Sequence, residues 1–158
     1  MADKGGDRIM ELKNRSQYLD KLISVQDMEV IKVVTGIRRC GKSSLLKLMM
    51  AHLREQGVME EQILSMNFES MQFADMDSKS LYQYVMERAP KEKRLYLFLD
   101  EVQKVRDWQD AVNSFRVDLD CDIYVTGSNA YLLSSELSTY LSGRYVDCLL
   151  YTSPSPRD

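Results

Sequence analysis

The chain has 158 residues, 44% hydrophobic and 28% charged, a balance that fits about one soluble globular domain. Lys plus Arg is 21 against 24 Asp plus Glu, a formal net charge of −3, which argues against a nucleic-acid binder driven by bulk charge and leaves a local basic patch open. No apolar run approaches the ~18 residues needed to span a membrane and the start MADKGGDRIM is no signal peptide, while three cysteines without CxxC spacing form neither a disulfide framework nor a zinc site, so the expected location is a reducing cytoplasm.

In chain order, residues 1–7 read as a loose, disordered polar start. From Arg8 to Ser24, the residues Ile9, Leu12, Leu19, Leu22 and Ile23 suit an amphipathic helix. Glu29 to Thr35 (EVIKVVT) is short and β-branched, a buried strand, and a Gly-containing turn follows it. Lys42 to Glu55 then puts Leu45, Leu46, Met49 and Leu53 on one helical face. Gln62 to Phe68 reads as a second strand and Ser80 to Arg88 as a helix. The run LYLFL at Leu95 to Leu99 fits a strand covered on both faces. Asp107 is placed to cap a helix carrying Trp108, Val112 and Phe115 on one side. Asp122 to Thr126 is a fourth strand, with a helical segment after it through Leu132, Leu133 and Leu137, and His52 reads as a surface residue. Strands alternating with helices predict an α/β fold with a parallel sheet, which binds ligands at the carboxyl ends of its strands.

The chemistry-bearing residues fall at those ends. Gly36-Ile37-Arg38-Arg39-Cys40-Gly41-Lys42-Ser43 satisfies G-x-x-x-x-G-K-[ST], with a strand before it and a helix, opening on Lys42-Ser43-Ser44, after it. Glycines let backbone N–H groups wrap a phosphate, and the helix N-terminus favours an anion. Lys42 is suited to neutralise β- and γ-phosphate charge and Ser43 to offer a hydroxyl to Mg²⁺. Arg38 and Arg39 add local positive charge, and Cys40 reads as a small loop residue.

Asp100 and Glu101 directly follow LYLFL. Adjacent carboxylates there fit a Walker B pair, Asp100 holding Mg²⁺ through water and Glu101 orienting and deprotonating the attacking water. Ser128 and Asn129 end the fourth strand, either touching the γ-phosphate or the water or simply turning the chain into a helix. Asn67 closes the second strand, either bonding Glu101 and holding it from water or capping backbone. Arg144 is either an arginine that reaches a neighbouring γ-phosphate, which implies a homo-oligomer, or a surface residue. No N-K-x-D motif of a GTPase follows the P-loop, and Leu141-Ser-Gly143 lies on the wrong side of the acidic pair for an ABC transporter signature. Two alternatives to an ATPase stand: an ATP-dependent switch or binding module without significant turnover, and a P-loop kinase, which needs no Glu101.

Together these motifs resemble one group of prokaryotic AAA-type ATPases, a P-loop domain followed by an uncharacterised C-terminal domain. The resemblance rests on Val34 to Ser44, on Phe98-Leu-Asp-Glu-Val-Gln103 with Trp108 beyond, and on Thr126 to Leu133 leading to Leu141-Ser-Gly-Arg144, within residues 8 to 147. It implies an AAA/RecA-like three-layer P-loop core, C-terminally incomplete here, with ATP and Mg²⁺ bound and the roles given above for Lys42, Ser43, Asp100 and Glu101. The family's Gly-Arg adds weight to Arg144, and the missing C-terminal domain is an expected partner. The resemblance supplies no purpose for the hydrolysis and leaves nucleic acid open as a partner.

After Gly-Arg-Tyr-Val the family continues into a strand, a Pro-Leu-Ser-Phe-like segment and a further domain, whereas this chain runs into CLLYTSPSPRD. Those residues, Cys148 to Asp158, can be encoded in one frame by what looks like the transposon-end adapter of sequencing libraries. The expectation is a native frame interrupted at about Val146 or Asp147, a partial ATPase core over 8–147 and a non-native tail over 148–158. A fifth parallel strand should follow Arg144, a place that Tyr145 to Leu150 is apolar enough to fill. Without the domain that covers the nucleotide, this chain alone should bind ATP weakly and turn it over slowly or not at all. Longer reads of the same locus should depart from CLLYTSPSPRD after Asp147; reads that continue in it would overturn the adapter reading.

Overall fold

An uninterrupted apolar strand folds only where both its faces are covered. In the computed structural model, which describes residues 17–36, 41–128 and 145–150, all six residues of Leu95–Asp100 are buried. Residues 17–24 are helical (α1), followed by β1 (Ile31–Gly36), α2 (Lys42–Glu55), β2 (Ile63–Asn67), α3 (Ser78–Arg88), β3 (Leu95–Asp100), α4 (Trp108–Asp118), β4 (Cys121–Ser128) and β5 (Tyr145–Leu150). The strands form one parallel sheet in the order β2-β3-β4-β1-β5. The chain therefore crosses from β1 to the far edge at β2, steps back through β3 and β4, and passes β1 to reach β5. This is the α/β P-loop architecture that the motifs imply, and the fifth strand lies at Tyr145–Leu150 as expected.

Strand alternation sorts the core into two layers. Val33, Leu95, Leu97, Leu99, Ile123 and Val125 face α3 and α4, where Leu81, Val85, Trp108, Val112 and Phe115 meet them. Val34, Tyr96, Phe98 and Tyr124 face α1 and α2, where Leu22, Leu45, Leu46, Met49 and Leu53 cover them. The Phe98 and Tyr124 rings stack at 4.7 Å across β3 and β4.

Element ends differ from the sequence reading where side chains decide them. α3 starts at Ser78 because the Asp77 carboxylate accepts from Ser80 N at 2.9 Å and Ser80 Oγ at 2.8 Å. Asp107 precedes α4 as expected, but with φ 57° it sits in the left-handed region and its side chain caps nothing. His52, read as a surface residue, is half-buried, and its Nε2 is shielded without a hydrogen-bond partner. The helix expected through Leu132, Leu133 and Leu137 and the first half of the one from Arg8 lie outside the described residues.

The amino end of the sheet is locked by a buried ion pair that the apolar pattern hides. Lys32 on β1 and Asp122 on β4 pair while 0% and 1% exposed. Lys32 Nζ also donates to Met28 O at 2.8 Å and lies 5.5 Å from the Tyr124 ring centroid. Asp122 accepts further from Asp27 N at 3.0 Å and Tyr124 Oη at 2.7 Å. Asp27 in turn accepts from Tyr96 Oη at 2.8 Å and Arg94 Nε at 2.9 Å. Burial alone would raise the Asp27 carboxyl, but Tyr96, Gln26 and Arg94 outweigh it and hold it below its ordinary value. Burial, then the Asp27 hydrogen bond, pushes the Tyr96 phenol up to about 12, and burial and Asp122 push Tyr124 up as well.

Removing one partner of such a pair strands the other charge. Asp122→Ala should lower the unfolding free energy by about 3–5 kcal/mol in urea titrations, leaving Lys32 buried with one carbonyl. The two phenols set an alkaline limit. Both titrate higher when folded, so their contribution is complete below about pH 10, the unfolded value, and is lost as pH rises from there towards the folded value. Urea midpoints should fall above about pH 10, and less steeply in Tyr124→Phe.

Candidate active site

At the carboxyl ends of the strands, register alone brings the segments together. Gly36 at the end of β1 pairs with Ser128 at the end of β4, Leu99 of β3 pairs with Val125, and Asn67 of β2 pairs with Asp100. α2 then opens at Lys42, directly after Gly41. Gly41 has φ 79°, a left-handed turn that a Cβ would strain, so glycine is required where strand gives way to helix.

Lys42 is 7% exposed, donates to Gly127 O at 2.7 Å and lies 3.6 Å from Glu101 Oε1. Ser43 Oγ donates to Asp100 Oδ2 at 2.5 Å, joining the start of α2 to the end of β3. The other Asp100 oxygen, Oδ1, accepts from Thr126 Oγ1 at 2.5 Å, and the same hydroxyl accepts from Glu101 N at 2.9 Å. That last bond has a local cause: the β3–β4 ladder stops at Leu99 and Val125, so the Glu101 N–H needs a new acceptor. Thr126 thus fixes the Asp100 rotamer and the backbone of Glu101 at once. Glu101 itself has φ 59° and ψ 50°, a left-handed conformation that costs a non-glycine residue about 1–3 kcal/mol and is typical of functional sites.

The convergence of Ser43 Oγ and Asp100 Oδ2 suits a hard divalent cation, which takes oxygen donors and often only one or two carboxylates besides phosphate oxygens. Among the described residues there is no group of three or more His, Cys, Asp or Glu able to hold a metal by itself. Mg²⁺ shared with a phosphate ligand matches that donor set.

Of the sequence-predicted site residues, Gly41, Lys42, Ser43, Asp100 and Glu101 come together; Ser44 is the next residue of α2 and Gly36 ends β1. Asn67 closes β2 but its Oδ1 accepts from Glu69 N at 3.0 Å, the backbone-capping alternative, and the Glu101 carboxylate instead accepts from Gln103 Nε2 at 2.6 Å. Ile37, Arg38, Arg39, Cys40, Asn129 and Arg144 lie outside the described residues, as does the side chain of Ser128. Thr126 and Gln103 stand inside segments that carry the resemblance, but the sequence reading assigned neither a role. Gln103 Oε1 is buried without a partner, a group that costs about 1–3 kcal/mol when left unsatisfied.

A family model described as an AAA domain matches residues 29–153. An uncharacterised protein of Haemophilus influenzae is 44% identical over 140 residues, covering 87% of this chain and 35% of that protein. Another, from Methanocaldococcus jannaschii, is 27% identical over 137 residues, covering 85% of this chain and 30% of that one. The chain thus spans about a third of the length of these relatives. Among solved structures it is similar to Drosophila ORC bound to AT-rich DNA and Cdc6 (TM-score 0.64, 13% identity, 94% of this chain and 58% of that one). It is also similar to a DNA polymerase III gamma subunit-related protein of Thermotoga maritima (0.60, 10%, 89% and 47%) and to the Thermotoga maritima RuvB Holliday junction branch migration motor (0.55, 17%, 88% and 44%). At such identities these likenesses concern the fold alone. No helix among the described residues is long and apolar enough to cross a membrane.

The Thr126 hydroxyl bears on both carboxylates. Thr126→Val should weaken Mg²⁺ binding, titrated in the presence of ADP, by about 10- to 100-fold, as loss of an outer-shell partner does, and Thr126→Ser should restore most of it.

Proposed function

The chain belongs to the AAA domain family of P-loop ATPases, and from that premise we propose that it is the nucleotide-binding core of a Mg²⁺-dependent ATPase, hydrolysing ATP to ADP and phosphate. The observation that carries the reading is the meeting of Lys42 and Ser43, beyond the end of β1, with Asp100 and Glu101 at the end of β3, with a cation, two oxygen donors and a spare carboxylate within a few ångströms.

Each side chain has a task that its chemistry supports. Gly41 and the N–H groups opening α2 cradle the phosphates, where the helix dipole favours negative charge. Lys42 leaves Gly127 O and Glu101 to neutralise β- and γ-phosphate oxygens. Ser43 and Asp100 hold Mg²⁺, Asp100 kept in its rotamer by Thr126. When bound, the ion supplies Lewis-acid charge to the phosphate oxygens. Glu101 accepts a proton from the water that attacks the γ-phosphorus as the bond to the β-phosphate oxygen breaks. Ser128 and Asn129 contact the γ-phosphate or that water, and Arg144 reaches the γ-phosphate of a neighbouring copy in a homo-oligomer. The relatives extend well beyond the matched region, and a further domain of that kind is the partner proposed here for the hydrolysis to act on.

Two variants of the full-length protein test the reading. Lys42→Ala should abolish binding of a fluorescent ATP analogue. Glu101→Gln should keep binding while lowering Mg²⁺-dependent turnover by about 10²–10⁴-fold. Tight binding with turnover indifferent to Glu101→Gln would mark a switch or a binding module, and phosphate transfer to an added acceptor would mark a kinase.

A further inference from the structure

The two oxygens of the Glu101 carboxylate have different surroundings. Oε1 lies 3.6 Å from Lys42 Nζ, and Oε2 accepts from Gln103 Nε2 at 2.6 Å. Building on the reading of Glu101 as the base, we propose that Gln103 is a positioning residue for hydrolysis, whose side-chain amide pins Oε2 so that Oε1 is the oxygen turned towards the attacking water.

Three observations carry this. First, among the described residues Lys42 and Gln103 are the polar partners of that carboxylate, and Lys42 is the one called away when a phosphate arrives. Its departure frees Oε1 and leaves Gln103 as the group that stops the carboxylate rotating. Second, the amide orientation follows from the chemistry. An ionised carboxylate only accepts, so the NH₂ must face it, and Gln103 Oε1 is left buried with no partner. The fold tolerates that unsatisfied oxygen and keeps the donor on Glu101. Third, Gln103 stands on a fixed base. It belongs to the 3₁₀ turn Val102–Lys104, in which Val102, and after which Val105, are 0% and 2% exposed, with Trp108 buried beyond. The far end of this strap is tied to the loop before α3, where Arg106 N donates to Met76 O at 3.3 Å and Arg106 bridges to Asp77. A donor on so rigid a support holds a geometry, as positioning groups require. Asn67, the other strand-end amide, is engaged with the backbone of Glu69.

The test uses the full-length protein with ATP and Mg²⁺. Gln103→Ala should lower kcat by about 10- to 100-fold, the scale of a misplaced reacting group. The Kd for Mg²⁺–ADP should stay near wild type, since among the described residues the amide donates to Glu101 and not to Lys42 or Ser43. Gln103→Met, which keeps length and volume but has no donor, should behave alike and serves if Gln103→Ala fails to fold. In a Glu101→Gln background, Gln103→Ala should change the residual rate by less than about twofold, because residues acting as a unit are not additive. A kcat within about twofold of wild type in Gln103→Met, a parallel loss of ADP affinity, or additive effects in the double variant would overturn the inference. Unchanged turnover in Glu101→Gln would remove the base itself, and both readings with it. A normal loss there beside an intact Gln103→Met would remove this inference alone.

Discussion

The position of β4 between β1 and β3 is the constraint on which the rest of the molecule depends. It keeps the strand that leads to the phosphate loop from pairing with the strand that ends in Asp100, so the two meet directly only beyond their ends, at Ser43–Asp100 and Lys42–Glu101, and are otherwise joined through β4. Gly127 O receives Lys42 from the β1–α2 side, and the Thr126 hydroxyl receives Asp100 and Glu101 from the β3 side. At the opposite end of the same strand, Asp122 receives Lys32 of β1. β4 is therefore stitched to β1 by a lysine at each end, one permanently buried and one that a phosphate can claim.

The two ends of the sheet spend polar groups differently. Around Asp122 each described oxygen and nitrogen has a partner, from Lys32, Tyr124 and the Asp27 backbone, as burial of charge demands. Around Asp100 and Glu101 the account is left open. An orphaned Gln103 oxygen and a lysine no nearer than 3.6 Å to its carboxylate stand within one constellation. Such local departures from the lowest-energy arrangement concentrate where chemistry is done. The amino end confers rigidity, and the carboxyl end holds groups in readiness.

How much of this could be read from the residues alone depended on whether the signal was periodic. LYLFL announced a central strand because burial on both faces removes every polar alternation, whereas Leu45, Leu46, Met49 and Leu53 announced α2 by the helical spacing of its one buried face. Lys42, Ser43, Asp100 and Glu101 were legible because a phosphate site constrains residue types at fixed offsets. Lys32 was not, since a lysine inside EVIKVVT reads as an accident until Asp122, 90 residues away, is seen to meet it. Gln103 and Thr126 escaped for a related reason: their roles come from parallel register and from a 3₁₀ turn, and neither leaves a spacing pattern. Asp77 and Asp107 show the limit of local rules, both standing before a helix and only the first capping it.

α2 joins these two ends in a further way. Its 14 residues make a rod of roughly 21 Å, with Lys42 at one tip. Just past the other tip, Gln56 Oε1 accepts from Gln26 Nε2 at 3.0 Å, beside the Asp27 loop that anchors Asp122. Between those tips Leu45, Met49 and Leu53 pack the helix onto Val34, Tyr96, Phe98 and Tyr124 of the sheet. One helix thus borders both the lysine that a phosphate can claim and the loop that holds the buried ion pair.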